Sequence, residues 1–85
     1  METHEHRLKR LKIRAWRRGT KEMDLILGTF VDQRLNGLGA ADLDALEALM
    51  AENDTDIYPW FTGQAPVPPE HLDILQKIQS EIKLF

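Results

Sequence analysis

The sequence predicts an all-α protein, a small five-helix bundle, on three observations. Apolar residues recur at spacings of three and four in five separate stretches, which is the period of an amphipathic helix. No segment of four or more residues alternates apolar and polar side chains with β-branched enrichment, so no strand is expected. The connections between the stretches are short, which favours antiparallel neighbours. With 85 residues, 42% of them hydrophobic, the chain can bury one modest core, and we expect a single domain over residues 1–85.

The first helix is predicted from His4 to Arg18, a stretch that contains no glycine or proline. Thr3 can cap its start, and Gly19 can end it. The apolar stripe of this helix consists of Leu8, Leu11 and Ala15.

The second helix is predicted from Thr20 to Leu35, and Asn36-Gly37 is expected to supply a left-handed stop. Its apolar positions are Met23, Ile26, Leu27, Phe30 and Val31. Gly28 inside this helix costs about 1 kcal/mol relative to alanine. We therefore expect the backbone of a neighbouring element to approach the helix at this glycine.

The third helix is predicted from Ala41 to Glu52, with acidic residues on its outer face. Its inward positions are Leu43, Leu46, Leu49 and Met50. Asp54-Thr55-Asp56 then provides an N-cap for a short fourth helix that tolerates Pro59 and ends at Gly63. Ile57, Trp60 and Phe61 share one face of this helix.

The fifth helix follows a rigid connector, Gln64 to Pro68. Pro69 occupies its first position, where a missing N–H is tolerated, and Glu70 complements the positive end of the helix dipole. Its apolar stripe consists of Leu72, Leu75, Ile78 and Ile82 and runs toward Phe85.

Charge is distributed unevenly along the chain: residues 1–21 carry +6, whereas residues 22–85 carry −9. If the first helix continues in phase through Gly19, six cations fall within an arc of about 100°. They are Arg7, Arg10, Arg14, Arg17, Arg18 and Lys21. This basic face could bind an acidic protein partner, pair within the molecule, or bind nucleic acid. The acidic body behind it opposes phosphate, so we favour an acidic protein partner over nucleic acid.

The join between the first two helices allows two interpretations. Gly19 and Glu22 can serve only as capping residues, the glycine bending the chain and the carboxylate complementing the next helix. Alternatively, a sharp turn presents Arg18 and Glu22 together as a paired recognition element. A partly exposed aromatic residue near Arg18 would add a binding anchor, whereas core packing is the default for Trp60 and Phe61.

Catalytic, metal and membrane functions find little support in the sequence. There is no cysteine, and His4 and His6 point to different sides of a helix, so we expect no metal site. Asp54 and Asp56 have no nearby base or nucleophile, and we expect no enzyme. No apolar run reaches membrane length and no secretory signal is present, so the sequence indicates a cytoplasmic protein or the mature matrix form of an organellar one.

Two blocks of residues, 17–24 and 53–61, resemble the succinate dehydrogenase flavinylation factor family, also called FAD assembly factors. The first block contains Arg18-Gly19 followed by Glu22, an Arg-Gly-x-x-Glu turn after a basic helix. The second is an acidic Asp-x-Asp stretch that leads to Trp60. The resemblance covers nearly the whole chain.

The resemblance implies a helical chaperone that binds the flavoprotein subunit of succinate dehydrogenase, or of fumarate reductase, and promotes covalent attachment of FAD to a histidine of that subunit. It implies that FAD is not held stably by the chaperone itself, and we expect a monomer that neither inserts into a membrane nor binds nucleic acid. The residues assigned to partner binding are Arg18, Gly19, Glu22, Arg14, Arg17, Asp54 and Trp60, with capping and core roles expected for the last two. The alternative is a nucleic-acid-binding or antitoxin-type helical protein that uses the basic first helix.

Overall fold

The computed structural model describes residues 2–82 and contains five α-helices, which confirms the predicted all-α class. The elements are α1 (His4–Ala15), α2 (Lys21–Arg34), a 3₁₀ turn (Leu35–Gly37), α3 (Ala40–Met50), α4 (Asp54–Thr62) and α5 (Pro69–Glu81). No strand occurs within residues 2–82.

The helices pack as two pairs, α1 against α2 and α3 against α5, joined by contacts of α2 with α5 and of α1 with α3. Their apolar faces enclose one core, to which α4 contributes Ile57 and Phe61. The predicted inward faces of α2 and α3 are buried as expected. Burial of these faces is the main contribution to stability, since helices of 9–14 residues are marginal in isolation.

The predicted caps are confirmed where they depend on local sequence. The hydroxyl of Thr3 accepts a hydrogen bond from the amide of His6 at 3.1 Å. Gly63 ends α4 in the left-handed conformation at φ +80°, and Pro69 is the first residue of α5. These positions are set by backbone geometry that each residue type favours, so sequence alone locates them.

The first helix ends at Ala15, three residues before the predicted end at Arg18. Trp16 leaves the helical path at φ −92° and ψ 0°. The amide of Arg18 donates to the Asp24 carboxylate of α2 at 2.7 Å, so the chain is already turning here. The assumption that the helical phase runs on through Gly19 is therefore wrong, and Arg17, Arg18 and Lys21 do not continue the face of α1.

The structure corrects two further turn assignments. Asn36-Gly37 does not form a left-handed stop: it lies in the 3₁₀ turn, in which the amide of Leu38 donates to the Leu35 carbonyl. The N-cap of α4 is Asn53 and not the Asp54-Thr55-Asp56 segment, and no side chain caps that helix. The carboxylate of Asp54 has a tertiary partner, described below.

Three of the four residues of the predicted α5 stripe, Leu75, Ile78 and Ile82, are buried as expected. Leu72 is exposed, and His71 and Ile74 enter the core in addition. The stripe was expected to continue toward Phe85, which lies outside the described residues. The predicted approach at Gly28 does occur, but the neighbour is the side chain of Trp16 and not a backbone.

Candidate functional site

Residues 17–22 comprise the turn after α1 and the first two residues of α2, and they are called the α1–α2 corner. Gly19 is exposed and adopts φ +99°, a conformation that strains any side-chain-bearing residue, although a Cβ there would have no heavy atom within 4 Å. Thr20 caps α2 by accepting a hydrogen bond from the amide of Met23 at 3.3 Å. The corner is thus a sharp, well-defined turn whose tip is open to a partner.

Arg18 points into the molecule and ties the corner to the α3–α4 junction. Its guanidinium donates to Asp54 Oδ1 at 2.8 Å, to the carbonyl of Met50 at 2.6 Å and to the carbonyl of Glu52 at 2.8 Å. Met50 is the last residue of α3, and its carbonyl has no partner within the helix, so the arginine satisfies that group together with the carbonyl of Glu52 in the following turn. The predicted presentation of Arg18 as an exposed fork beside Glu22 is wrong, because these three acceptors hold it 90% buried.

Glu22 remains exposed on the first turn of α2, and its carboxylate has no hydrogen-bond or ion-pair partner within residues 2–82. The Glu22 carboxylate does not form a capping box with α2; the only side chain that caps this helix is Thr20. Beside it lies a largely apolar depression of about 220 Å³, lined by Thr20, Met23, Asp54, Thr55 and Tyr58. An acceptor at the rim of an apolar depression suits a partner side chain with an apolar stem and a polar tip.

The basic residues of α1 fall into two groups. Arg7 bridges Asp44 at 2.6 Å and Glu47 at 3.1 Å, and Arg10 bridges Glu47 at 3.0 Å and Glu2 at 2.7 Å. The hydrogen bond from Arg10 is the largest of the effects that lower the pKa of the Glu47 carboxyl. This group therefore fastens α1 to α3 and is not available to an outside ligand.

The second group, Arg14, Arg17 and Lys21, has no carboxylate partner in the described part of the chain. All three lie at the α1–α2 corner or one turn before it. The single basic face predicted from sequence is thus divided: half of its cations pair within the molecule, with Arg18 among them, and half remain available. This division weakens the nucleic-acid interpretation, which needs the full stripe of charge.

Asp54 and Trp60, the assigned residues of the second block, occupy different parts of α4. Asp54 is the first residue of α4 and receives the Arg18 guanidinium. Trp60 is half-buried, with its ring centroid 5.5 Å from that of His71. The structure therefore joins Asp54 to the α1–α2 corner through Arg18, and pairs Trp60 with α5.

His71 is the one buried charged or polar residue in the described core, and sequence reasoning did not single it out. Its Nε2 lies 3.4 Å from Glu52 Oε2, and its Nδ1 has no partner. The spacing of positions 71, 74, 75 and 78 could have placed it on the buried face. Within residues 2–82 no group of histidines and carboxylates is arranged to hold a metal ion.

None of the helices within residues 2–82 combines the length and the apolar character needed to cross a bilayer.

Comparison with known families identifies the fold family. Residues 9–82, which include both blocks and all of α2–α5, match the family described as the flavinator of succinate dehydrogenase. This chain belongs to that family. The matched range includes the α1–α2 corner and the α4 segment that Arg18 joins to it. No solved structure matches the chain.

Individual relatives support the assignment to the flavinator family. Succinate dehydrogenase assembly factor 2 of Mycosarcoma maydis is 40% identical over 79% of this chain and 28% of its own length. The FAD assembly factor SdhE of Acetobacter pasteurianus is 36% identical over 75% of this chain and 59% of its own. Succinate dehydrogenase assembly factor 2-A of Drosophila mojavensis is 35% identical over 93% of this chain and 52% of its own length. The chain thus spans less than two thirds of the length of each of these relatives.

Proposed function

We propose that this protein is an assembly factor that binds the flavoprotein subunit of succinate dehydrogenase and promotes covalent attachment of FAD to it. The observation that carries the proposal is the α1–α2 corner: an exposed left-handed Gly19 beside the unpartnered carboxylate of Glu22, held rigid from below by Arg18. Membership of the flavinator family and the names of its relatives support this function.

The contribution of the protein is orientation, without covalent chemistry of its own. In the attachment reaction, the flavoprotein supplies the nucleophilic histidine and its FAD supplies the electrophilic carbon. Holding two reacting groups at attack distance can lower a barrier by several kcal/mol without any catalytic side chain from the assembly factor. We infer that the protein is not an enzyme and that it does not hold FAD stably itself.

The assigned residues divide by role. Gly19 lets the partner's surface approach the backbone closely, and Glu22 accepts a hydrogen bond or an ion pair from it. Arg18 and Asp54 hold the corner in place and act on the partner only through it. Arg14 and Arg17 attract an acidic partner surface over a longer range. Trp60 supports the packing of α4 on α5.

We further infer that residues 1–85 act as one domain and as a monomer, in the compartment in which the flavoprotein receives its FAD. That compartment is the cytoplasm of a bacterium or the matrix of a mitochondrion. The flavoprotein of fumarate reductase is a second partner of the same chemistry.

The test is in-gel fluorescence of covalently bound flavin on the flavoprotein subunit under denaturing conditions. Cells that lack the gene should show a faded band, restored by the wild-type gene but not by Gly19→Arg or Glu22→Ala. Gly63→Arg is the matched control, because Gly63 is also exposed, also has a positive φ (+80°) and also has no atom within 4 Å of a Cβ, but lies at the end of α4. A band of equal intensity with and without the gene would refute the proposal.

A further inference from the structure

Three of the four large apolar side chains that are exposed within residues 2–82 lie near the α1–α2 corner, one on α1, one at its C-cap and one on α2. They are Ile13, Trp16 and Leu25, which are 56%, 38% and 41% exposed. The fourth, Leu72, lies on α5 and is 40% exposed. In an acidic domain of 85 residues, this grouping beside the corner needs a physical explanation.

Trp16 is held in a fixed orientation although it is partly exposed. A Cβ on Gly28 would lie 2.4 Å from the indole atoms Cδ2 and Cε2, so the ring rests directly on the backbone of α2. The indole Nε1 donates to Asp32 Oδ1 at 3.2 Å, which fixes the ring in its plane. A glycine in the middle of a helix costs about 1 kcal/mol relative to alanine, and here that glycine provides the seat of the indole.

Leu25 lies between this indole and Glu22. At 100° per residue, Glu22 and Gly28 are each about 60° from Leu25, on opposite sides of it and one turn away. Trp16 covers Gly28, so the indole, the Leu25 side chain and the Glu22 carboxylate follow one another across the outer face of α2. This apolar surface is continuous with the α1–α2 corner.

Of the cations around the surface, Lys12 pairs with Asp32 beside the indole at 3.7 Å, whereas three others have no ion-pair partner within residues 2–82. Four of the six arginines form ion pairs within the molecule, and the remaining two, Arg14 and Arg17, flank Trp16 in sequence. Lys21, also without an ion pair in the described chain, lies about 40° from Leu25 around α2. A rigid aromatic centre with a rim of unpaired cations has the composition of a binding hot spot for an acidic partner.

We propose that Trp16 and Leu25 form the apolar centre of the surface that the flavoprotein subunit covers, and that Arg14, Arg17 and Lys21 face acidic residues of that subunit. This proposal rests on the function proposed above and extends its contact from the corner along α2. A second copy of this chain is a poorer occupant, because a two-fold interface would bring identical cations together. Nucleic acid is also disfavoured, because the centre of the surface is apolar and residues 22–85 behind it carry −9, which repels an extended polyanion.

The test is the equilibrium affinity of the purified full chain for the FAD-loaded flavoprotein subunit of the same organism, measured by biolayer interferometry. Leu25→Asp should weaken binding at least tenfold, and Leu72→Asp, the matched control of equal exposure, should change it less than twofold. Arg14→Glu combined with Arg17→Glu should weaken binding at least tenfold. The affinity of this double variant should also depend less on salt concentration, measured from about 50 to 300 mM, a range that brackets physiological ionic strength, where the Debye length is roughly 8 Å.

A second readout follows the indole directly. In a Trp60→Phe background Trp16 is the sole tryptophan of the chain. When this chain alone is labelled with 5-fluorotryptophan, its single ¹⁹F resonance should shift on addition of the unlabelled flavoprotein. Thermal unfolding of each variant, within a few degrees of wild type, confirms that binding and not folding has changed.

The outcomes separate this inference from the proposed function. If the wild type binds and Glu22→Ala weakens binding, but Leu25→Asp and the double charge variant bind as the wild type does, the inference is overturned and the proposed function stands. If the wild type does not bind the flavoprotein, both fail. Binding of a fluorescent single-stranded 20-mer oligonucleotide at about 150 mM salt, lost in the double charge variant, would overturn the inference in favour of nucleic acid.

Discussion

Replacing Arg18 with alanine should destabilise the fold by about 3 kcal/mol. The guanidinium is 90% buried and satisfies one carboxylate and two backbone carbonyls, and the Asp54 side chain it neutralises is 85% buried. Removing one partner of a buried ion pair typically costs about 3–5 kcal/mol, because the other charge is left uncompensated. The lower end of that range applies here, since water can reach Asp54 and the released carbonyls at the surface. For a domain of this size, about 3 kcal/mol corresponds to a fall in Tm of roughly 15 °C.

The assay is urea unfolding followed by circular dichroism, with a double-mutant cycle through Asp54→Ala. The coupling energy of Arg18 and Asp54 should exceed about 1.5 kcal/mol, because both side chains are desolvated. The control cycle uses Lys77 and Asp42, which are 2.6 Å apart but 52% and 32% exposed, and should give less than about 0.5 kcal/mol. A change below about 0.5 kcal/mol for Arg18→Ala would refute the assigned role of this arginine.

Three further predictions concern single positions. Gly28→Ala should displace the Trp16 indole and shift its fluorescence to longer wavelength. The control Gly37→Ala should leave the spectrum unchanged, because a Cβ there has open space around it. An unshifted spectrum for Gly28→Ala would contradict the packing of Trp16 on Gly28. The pKa of the Glu47 carboxyl is lowered in the folded state from about 4.5, so its contribution to the free energy of unfolding is fully present above pH 4.5 and disappears as the pH falls through the folded pKa. Glu47→Gln removes this titration and should therefore reduce the loss of stability in acid, measured as Tm against pH. Glu22→Ala should leave Tm within about 2 °C of wild type but weaken flavoprotein binding, and a large fall in Tm would instead indicate a structural role.

The helices and their caps could be predicted from sequence because they depend on residues close together in the chain. The apolar period located five helices, and Thr3, Gly63 and Pro69 marked ends that the structure confirms. The error at Asn36-Gly37 concerns the conformation of a turn, the N-cap of α4 was misplaced by one residue, and the end of α1 was placed three residues too late. At turns and helix ends, several conformations are compatible with the same residue types.

The interior of the candidate site could not be predicted in this way, because it is formed by contacts between residues far apart in sequence. Arg18 lies 32–36 residues from its three acceptors along the chain. Helical periodicity assigned it to the exposed basic face of the first helix, but that helix ends at Ala15, before Arg18 is reached. The seat of Trp16 on Gly28 has the same origin: a glycine in a helix indicates a close approach, but it does not say which element approaches. The exposed tip of the corner was predicted better, because Gly19 needs only local geometry.

The Arg-Gly-x-x-Glu turn therefore combines two physical tasks in adjacent residues, and loss of function means different things at each. The binding defect of Arg18→Ala should be proportional to the fraction of the variant that is unfolded. At about 10 °C, where the variant remains folded, its affinity for the flavoprotein should be within a few-fold of wild type. Binding should fail only as the temperature approaches the lowered Tm of the variant. Under the proposed function, Gly19→Arg should fail at every temperature, because its side chain would occupy the open space beside Gly19 through which the partner is proposed to approach. If both variants lost binding equally at about 10 °C with intact circular dichroism, Arg18 would itself have to contact the partner. The corner would then have to open and release Asp54 on binding.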